Sequence, residues 1–303
     1  MQTLYERAHT IAETLPYLQR HRDATVVIKY GGAAMTDPAV RTKVLRDVVL
    51  LRLVGLNPIL VHGGGPEINA MVARLGMETT KVNGYRVTDA AMMDVVEMVL
   101  AGLTNKRIVK DINGFGGNAV GLSGKDGRLL RATKMMPDGV DIGFVGEVAE
   151  VNPRIIRDLT AGGYLPVIAP IGFDDDEHSY NINADTAAAA IAGELKAEKL
   201  ILLTDVPGVL LDVNDPASLI SSLTVSDATT LIETRQIGGG MIPKIEACLD
   251  ALRRGVGRCH IVDGRQPHGI LVELFTAGGI GTMLVPDDAG AEPTPALPAP
   301  AQG

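Results

Sequence analysis

Two runs in this chain, LPVIAPI (165–171) and KLILLTD (199–205), are apolar almost without interruption. A strand with one wet face alternates apolar and polar residues, whereas a strand that is apolar throughout is buried on both faces. Strands of that kind belong to a largely parallel sheet with helices on each side. Strand-like runs at 26–30, 58–62, 118–123, 166–170, 199–204, 258–262 and 282–285 alternate with helical patterns at 38–55, 66–75, 89–101, 103–113, 153–161, 184–195, 241–254 and 267–276. The expected fold class is therefore α/β. Residues 127–150 lack a helical period and predict antiparallel hairpins decorating the sheet. Residues 286–303, PDDAGAEPTPALPAPAQG, are rich in Pro and Ala without periodicity and predict a disordered tail.

Ahead of the first strand, Leu4, Ala8, Ile11, Leu15 and Leu18 form one apolar helical stripe. Pro16 removes the amide that would bond to Ala12, which predicts a kink or break. The stripe packs either on its own domain or against another subunit, and the pattern alone favours the first.

With 303 residues, 46% of them hydrophobic, the chain is long enough for one large or two modest domains. A net charge of −8 argues against a nucleic-acid surface and leaves room for a small basic pocket. Cys248 and Cys259 make no disulfide framework and lack C-x-x-C spacing, and the histidines show no metal-ligand pattern. No apolar run approaches the ~18–20 residues needed to span a bilayer. Charged residues in the N-terminal stretch exclude a signal-peptide core, so a soluble, cytoplasmic protein is expected.

Two strand–glycine–helix junctions carry the chemistry: VVIKYGGAAM (26–35) and ILVHGGGPEI (59–68). Glycines let backbone amides approach an anion, and the following helix dipole favours negative charge. Pro66 and Glu67 suit a helix start. The plain alternative is a pair of tight turns. Neither junction continues into Gly-Lys-Ser/Thr, so there is no P-loop; in GLSGKDG (121–127) Asp126 stands where Ser or Thr is required. GFGGNA (114–119) follows a helix and precedes a strand, the reverse of a dinucleotide fingerprint.

In YNINADTAAAAIAGEL (180–195), Asn181, Asn183 and Asp185 alternate, so in an extended segment they share a face and suggest a polar wall. Asp185 alone is equally well a helix cap. In GGGMIPKIEACLDAL (238–252), Lys244 sits in the first turn of a helix, where a cation opposes the dipole and often serves a bound anion. The acidic run Asp174–Glu177 fits a solvated hairpin loop better than a metal site.

VIKYGGAAM, VHGGGPEI, VNGYRVTD (82–89), AVGLSGKDG (119–127), YNINADTAAAAIA and GGGMIPKIEAC, in that order over residues 25–285, resemble the amino acid kinase family and, within it, the arginine-sensitive N-acetylglutamate kinases. The resemblance implies a three-layer αβα sandwich with a mainly parallel sheet plus an N-terminal helix. It divides the chain into an oligomerisation arm (1–24), an acceptor-binding and dimerisation lobe (25–196), a nucleotide lobe (197–285) and the tail (286–303). It implies phosphorylation of the γ-carboxylate of N-acetyl-L-glutamate by ATP. Lys29 and Lys244 would neutralise the transferring phosphoryl group, with Asp185 orienting both. Gly63, Gly64, Gly65, Arg86, Asn181 and Asn183 would hold the acceptor, Arg86 gripping its second carboxylate bidentately. Gly31, Gly32, Thr204, Asp205, Gly208, Gly240 and Met241 would hold the nucleotide. Mg²⁺ would be held mainly by ATP phosphates and water, with no ligand from a protein side chain.

The same resemblance implies a homohexamer, a trimer of dimers, inhibited by L-arginine bound near Tyr17, His260 and Glu273. Some family members in photosynthetic organisms are regulated by a PII-type signalling protein, and no residue here decides that point. Rival readings are a kinase of another acceptor, such as N-acetylaminoadipate or carbamate, and a non-catalytic effector-binding homologue. Loss of Lys29, Lys244 or Asp185 would favour the latter, and all three are present. A dehydrogenase is the weakest reading.

Overall fold

The computed structural model describes residues 3–276 and 278–288. Its strands are β1 (Thr25–Tyr30), β2 (Asn57–His62), β3 (Lys81–Val82), β4 (Tyr85–Arg86), β5 (Ala119–Ser123), β6 (Leu130–Lys134), β7 (Val145–Val151), β8 (Leu165–Ala169), β9 (Ile171–Phe173), β10 (Ser179–Ile182), β11 (Lys199–Thr204), β12 (Ser222–Thr224), β13 (Arg258–Asp263) and β14 (Thr282–Val285). Eight of them form one sheet in the order β12-β14-β13-β11-β1-β2-β8-β5. All its pairings are parallel except β13 with β14.

The aliphatic runs are buried on both faces, as their composition requires. Val26 and Ile28 of β1 pack with Leu45 and Val48 of helix Pro38–Leu53 and Ile108 of helix Asn105–Gly114. Val27, between them, faces the opposite cluster, with Ile191 of helix Ala184–Leu195 and Ile245 of helix Ile242–Arg253. The result is an αβα sandwich. Each fully buried aliphatic side chain of this kind contributes about 1.5–3 kcal/mol by leaving water.

The 127–150 segment does pair antiparallel, β6 with β7, but β9 and β10 join them into a closed four-stranded barrel. Asp174 lies in the β9–β10 turn and accepts from His178 N and the Tyr180 hydroxyl, as a self-bonded hairpin loop does. Helices expected separately at 89–101 and 103–113 are one continuous rod. Ala90–Glu97 runs through a π-turn, Met98–Thr104, into Asn105–Gly114. Gly102, which separated the two expected helices, lies inside the π-turn.

The N-terminal stripe breaks where Pro16 demands it: helix Leu4–Glu13 ends at Thr14 and helix Leu15–Arg20 begins there. Most of its apolar residues do not pack on their own domain, contrary to the reading favoured by pattern; only the second helix, with Leu18 half-buried, lies against it. Leu4, Ile11 and Leu15 are 81%, 72% and 54% exposed. Residues 289–303, most of the expected disordered tail, and residues 1–2 of the arm lie outside the described residues. No helix among the described residues is long and apolar enough to cross a membrane.

Candidate active site

β1 and β2 run parallel with Tyr30 opposite His62, so the two strands end level and their glycine turns emerge side by side. They lie mid-sheet, where strands from early and late in the sequence meet at β1. Ligands of open α/β sheets bind at the carboxyl ends of strands at such a point. Gly63 N donates to Tyr30 O at 2.8 Å, tying one turn to the other. A Cβ on Gly63 would lie 3.9 Å from Gly31 Cα, so the two turns run close alongside each other.

Lys29, the penultimate residue of β1, folds back over the first turn; a Cβ on Gly31 would meet its Nζ at 3.0 Å. That ammonium lies 3.0 Å from Asp185 Oδ1, while Lys244 Nζ donates to Oδ2 at 2.8 Å. The Lys29 contact is an ion pair off the line of a hydrogen bond, leaving Oδ1 without an aligned donor. Lys244 comes from the first turn of helix Ile242–Arg253, and Asp185 from the first turn of helix Ala184–Leu195. Burial pushes the Asp185 carboxyl up, but the two ammonium groups outweigh it and hold it below the ordinary carboxylate range. Three residues from three elements thus form a cation–carboxylate–cation chain beside the glycine turns.

Gly63, Gly64 and Gly65 line a cleft of about 220 Å³ with Arg86, Asn181 and Asn183, so the six acceptor residues expected from sequence do come together. Arg86, buried at the end of β4, donates to Thr79 Oγ1 at 2.6 Å and to Asn69 Oδ1, and burial lowers its pKa. The extended alignment expected for Asn181, Asn183 and Asp185 ends early, because β10 stops at Ile182. Asn183 is the N-cap of the next helix, its Oδ1 accepting from Asp185 N at 2.7 Å. Its amide group is partly committed to capping, and Asp185 owes its place to the helix.

On the expected nucleotide side, Gly32 has φ +64°, and a Cβ there would lie 2.3 Å from Asp205 Oδ1. Asp205 therefore sits directly over the first turn. Thr204 ends β11, and Gly240 and Met241 form a short 3-10 turn leading into the Lys244 helix. Gly208 is different. It is closed off by Thr282, whose Oγ1 would be 2.6 Å from a Cβ there, and that hydroxyl also accepts from Val209 N. Here its loop packs against the start of β14.

Two supporting residues were not anticipated. His62 is fully buried beneath the second turn, and Asn105, the first residue after the π-turn, reaches its Nε2 at 3.1 Å. A histidine immediately before the three glycines was the available signal.

A profile of the amino acid kinase family matches residues 24–263. The chain belongs to the amino acid kinase family. It is similar to the acetylglutamate kinase of Syntrophomonas wolfei, with 55% identity over 280 residues, 92% of this chain and 97% of that relative. The acetylglutamate kinase of Heliobacterium modesticaldum is 54% identical over 289 residues, 92% of this chain and 98% of that one. Similarity of this extent to acetylglutamate kinases makes the chain a kinase. Among solved structures, an N-acetylglutamate synthase of Neisseria gonorrhoeae complexed with coenzyme A and N-acetyl-glutamate superposes with TM-score 0.80 at 26% identity. That match covers 92% of this chain, which spans only 63% of the synthase. A Giardia lamblia carbamate kinase bound to AMP-PNP shares the fold, with TM-score 0.63, 18% identity, and coverage of 87% of this chain and 99% of that one.

A second polar cluster lies toward the opposite end of the strands from the glycine turns. His260 of β13 pairs with Glu273 of helix Gly269–Phe275 at 2.7 Å, and both are buried. Lys199, at the start of β11, joins them electrostatically, and burial lowers its pKa to about 8. Burial also lowers the His260 pKa, against the pull of Glu273. Tyr17 lies on helix Leu15–Arg20, which packs against the helix carrying Glu273. His21, the C-cap of that arm helix, lies 2.5 Å from Glu198, the neighbour of Lys199. His260 and Glu273 were legible in the sequence, whereas Lys199 is hidden inside an otherwise aliphatic strand.

Proposed function

We propose that this kinase transfers the γ-phosphoryl group of ATP to the side-chain carboxylate of N-acetyl-L-glutamate, a step of arginine biosynthesis. The observation that carries the reading is the Lys29–Asp185–Lys244 chain abutting the Arg86 cleft. Phosphoryl transfer needs positioning and charge neutralisation more than covalent chemistry. Lys29 approaches from beside the acceptor turn and Lys244 from the nucleotide side, so the transferring oxygens would pass between two ammonium groups that Asp185 holds apart. An ionised carboxylate is already a nucleophile at neutral pH, so no general base is required.

Arg86, buried and oriented by Asn69 and Thr79, suits the acceptor's second carboxylate, which a blocked amine leaves as its remaining charge. Gly63, Gly64, Gly65, Asn181 and Asn183 complete the acceptor wall. Gly31, Gly32, Thr204, Asp205, Gly240 and Met241 surround the ATP phosphates. Asp185 has both carboxylate oxygens against ammonium groups, so Mg²⁺ fits best as an ion carried by the nucleotide's phosphates. In this reading residues 25–196 form the acceptor lobe and 197–285 the nucleotide lobe. Similarity to acetylglutamate kinases over 92% of the chain favours this acceptor over a longer dicarboxylate.

The reading extends to feedback inhibition of a hexamer by L-arginine. The exposed apolar stripe of residues 4–15 supports an arm that packs on another subunit, and the Lys199–His260–Glu273 cluster supplies a carboxylate for a guanidinium. The His21–Glu198 contact couples arm to cluster, as an effector that prefers one ring geometry requires.

The test is ADP release with ATP, Mg²⁺ and a panel of free and N-acylated amino acids. N-acetyl-L-glutamate is expected to have the highest kcat/KM, and a preference for N-acetylaminoadipate or carbamate would replace the proposed acceptor. The same assay with L-arginine tests regulation: deleting residues 1–21 should leave an active dimer with much weaker inhibition. A truncated enzyme that stays hexameric and fully sensitive would reduce the arm to packing.

A further inference from the structure

The second glycine turn stands on the π-turn, and the contact between them is polar, directional and fully buried. Asn105 and His62 are both 0% exposed. Asn105 Nδ2 faces three acceptors, His62 Nε2 at 3.1 Å, Val167 O at 2.9 Å and Leu122 O at 3.3 Å. Carbonyl oxygens cannot donate, so the atom facing them is the amide nitrogen, and the histidine Nε2 beside it is an acceptor. The other ring nitrogen, Nδ1, lies 2.8 Å from Gly63 O. That oxygen also only accepts, so Nδ1 carries the proton. The ring is neutral, and burial lowers its pKa to about 4, so it stays neutral at physiological pH.

The Gly63–Gly64 peptide is trans, as all described peptides are. In a trans peptide the carbonyl and the N–H point in opposite directions. A carbonyl turned back onto His62 therefore turns the Gly64 N–H away from it, and Gly64 lines the acceptor cleft. The π-turn completes the support. Leu100 lies where a Gly64 Cβ would meet its Cδ2 at 2.4 Å, and Thr104 Oγ1 would be 3.8 Å from the same position. Single π-turns inside α-helices are rare and concentrate at functional sites.

We propose that His62, locked as the Nδ1-protonated tautomer by Asn105, is a positioning residue that holds the Gly63 carbonyl back so that the Gly64 N–H meets the acceptor carboxylate. The proposal rests on the acceptor reading given above and deepens it. His62 touches no substrate and moves no proton; it acts through one peptide plane.

Two variants separate this role from packing. An Asn side chain puts its amide nitrogen close to where Nδ1 sits, while Gln matches the histidine better in length and reaches toward Nε2. If the Nδ1 donor matters, His62→Asn should keep the acceptor KM within about 3-fold, and His62→Gln should raise it about 10-fold, the scale of one lost hydrogen bond. The KM for ATP should stay level in both. If His62 only fills space, Gln will be the better replacement, and that order overturns the proposal. Melting curves verify folding. Should neither variant fold, long-range ¹H–¹⁵N correlation of the His62 ring in the unmutated enzyme decides: a proton on Nδ1 supports the proposal, and one on Nε2 overturns it. A wild-type enzyme that phosphorylates no acyl amino acid would instead defeat the acceptor reading, and this inference would fall with it.

Discussion

The chain carries two triple-glycine turns that open helices, Gly63–Gly65 and Gly238–Gly240, and they are built in opposite ways. Around Gly64 space is filled: Leu100 occupies the place of a side chain, His62 binds the Gly63 carbonyl, and Gly63 bonds to Tyr30. Around Gly238, Gly239 and Gly240 a Cβ would meet nothing within 4 Å. One turn is braced before any ligand arrives, and the other is exposed and unbraced. In the proposed reading, the acceptor, whose carboxylate must be aimed to within a fraction of an ångström, uses the braced kind. The proposed nucleotide turn, which must admit and release its ligand, can be ordered by that ligand itself.

The largest effect expected from breaking this arrangement is at the two lysines. Lys29→Ala and Lys244→Ala should each lower kcat by roughly 10²–10³, the scale of a lost electrostatic stabiliser of a transition state. Each variant leaves the buried Asp185 carboxylate with one ammonium partner instead of two, so melting temperatures should fall while the fold holds. Near-normal kcat in either folded variant would remove the two-lysine mechanism.

The glycines give the next effect. Gly64→Ala must displace Leu100, so it should raise the acceptor KM and lower the melting temperature while sparing the ATP KM. Gly240→Ala meets no neighbour, so it should leave melting unchanged and move only the ATP KM. If both variants affect the same substrate, the contrast between the turns is wrong.

The last effect is on stability against pH. His62 is neutral when folded, with its pKa lowered from 6.5 to about 4, so the unfolded chain binds the extra proton between those values. Stability should therefore be fully present above pH 6.5, decline as pH falls toward 4, and lose on the order of 3 kcal/mol from this residue. Burial lowers the His260 pKa as well, which adds loss of the same sign. Denaturant unfolding at pH 7.5, 6 and 5 reads the slope, and His62→Asn should flatten it. A slope unchanged in that variant would assign the acid sensitivity elsewhere.

Much of the fold was legible because continuous aliphatic runs leave little choice but a covered parallel sheet. β12 and helix Val225–Glu233 were missed, although Thr224 and Asp227 form a capping box that could have signalled the helix. The barrel could not be seen, since its closure depends on β7 meeting β10 across the intervening helix Arg154–Ala161 and strand β8. Of the site, Lys29, Asp185 and Lys244 were recognised from their motifs and not from spacing, because three distant elements bring them together. The His62–Asn105 contact spans 43 residues and leaves no periodic trace in the sequence. Exposure of the arm's stripe was equally invisible, since an amphipathic pattern does not say whose surface will cover it.

If phosphate reaches the side-chain carboxylate of the acceptor, the acyl phosphate can be trapped there. The enzyme is supplied with ATP, Mg²⁺, hydroxylamine and N-acetyl-L-glutamate carrying ¹³C at its side-chain carboxylate, and the products are followed by ¹³C NMR. The labelled carbon should become a hydroxamate in step with ADP formation. ADP formed without any hydroxamate, or a hydroxamate at the unlabelled α-carboxylate, would contradict it.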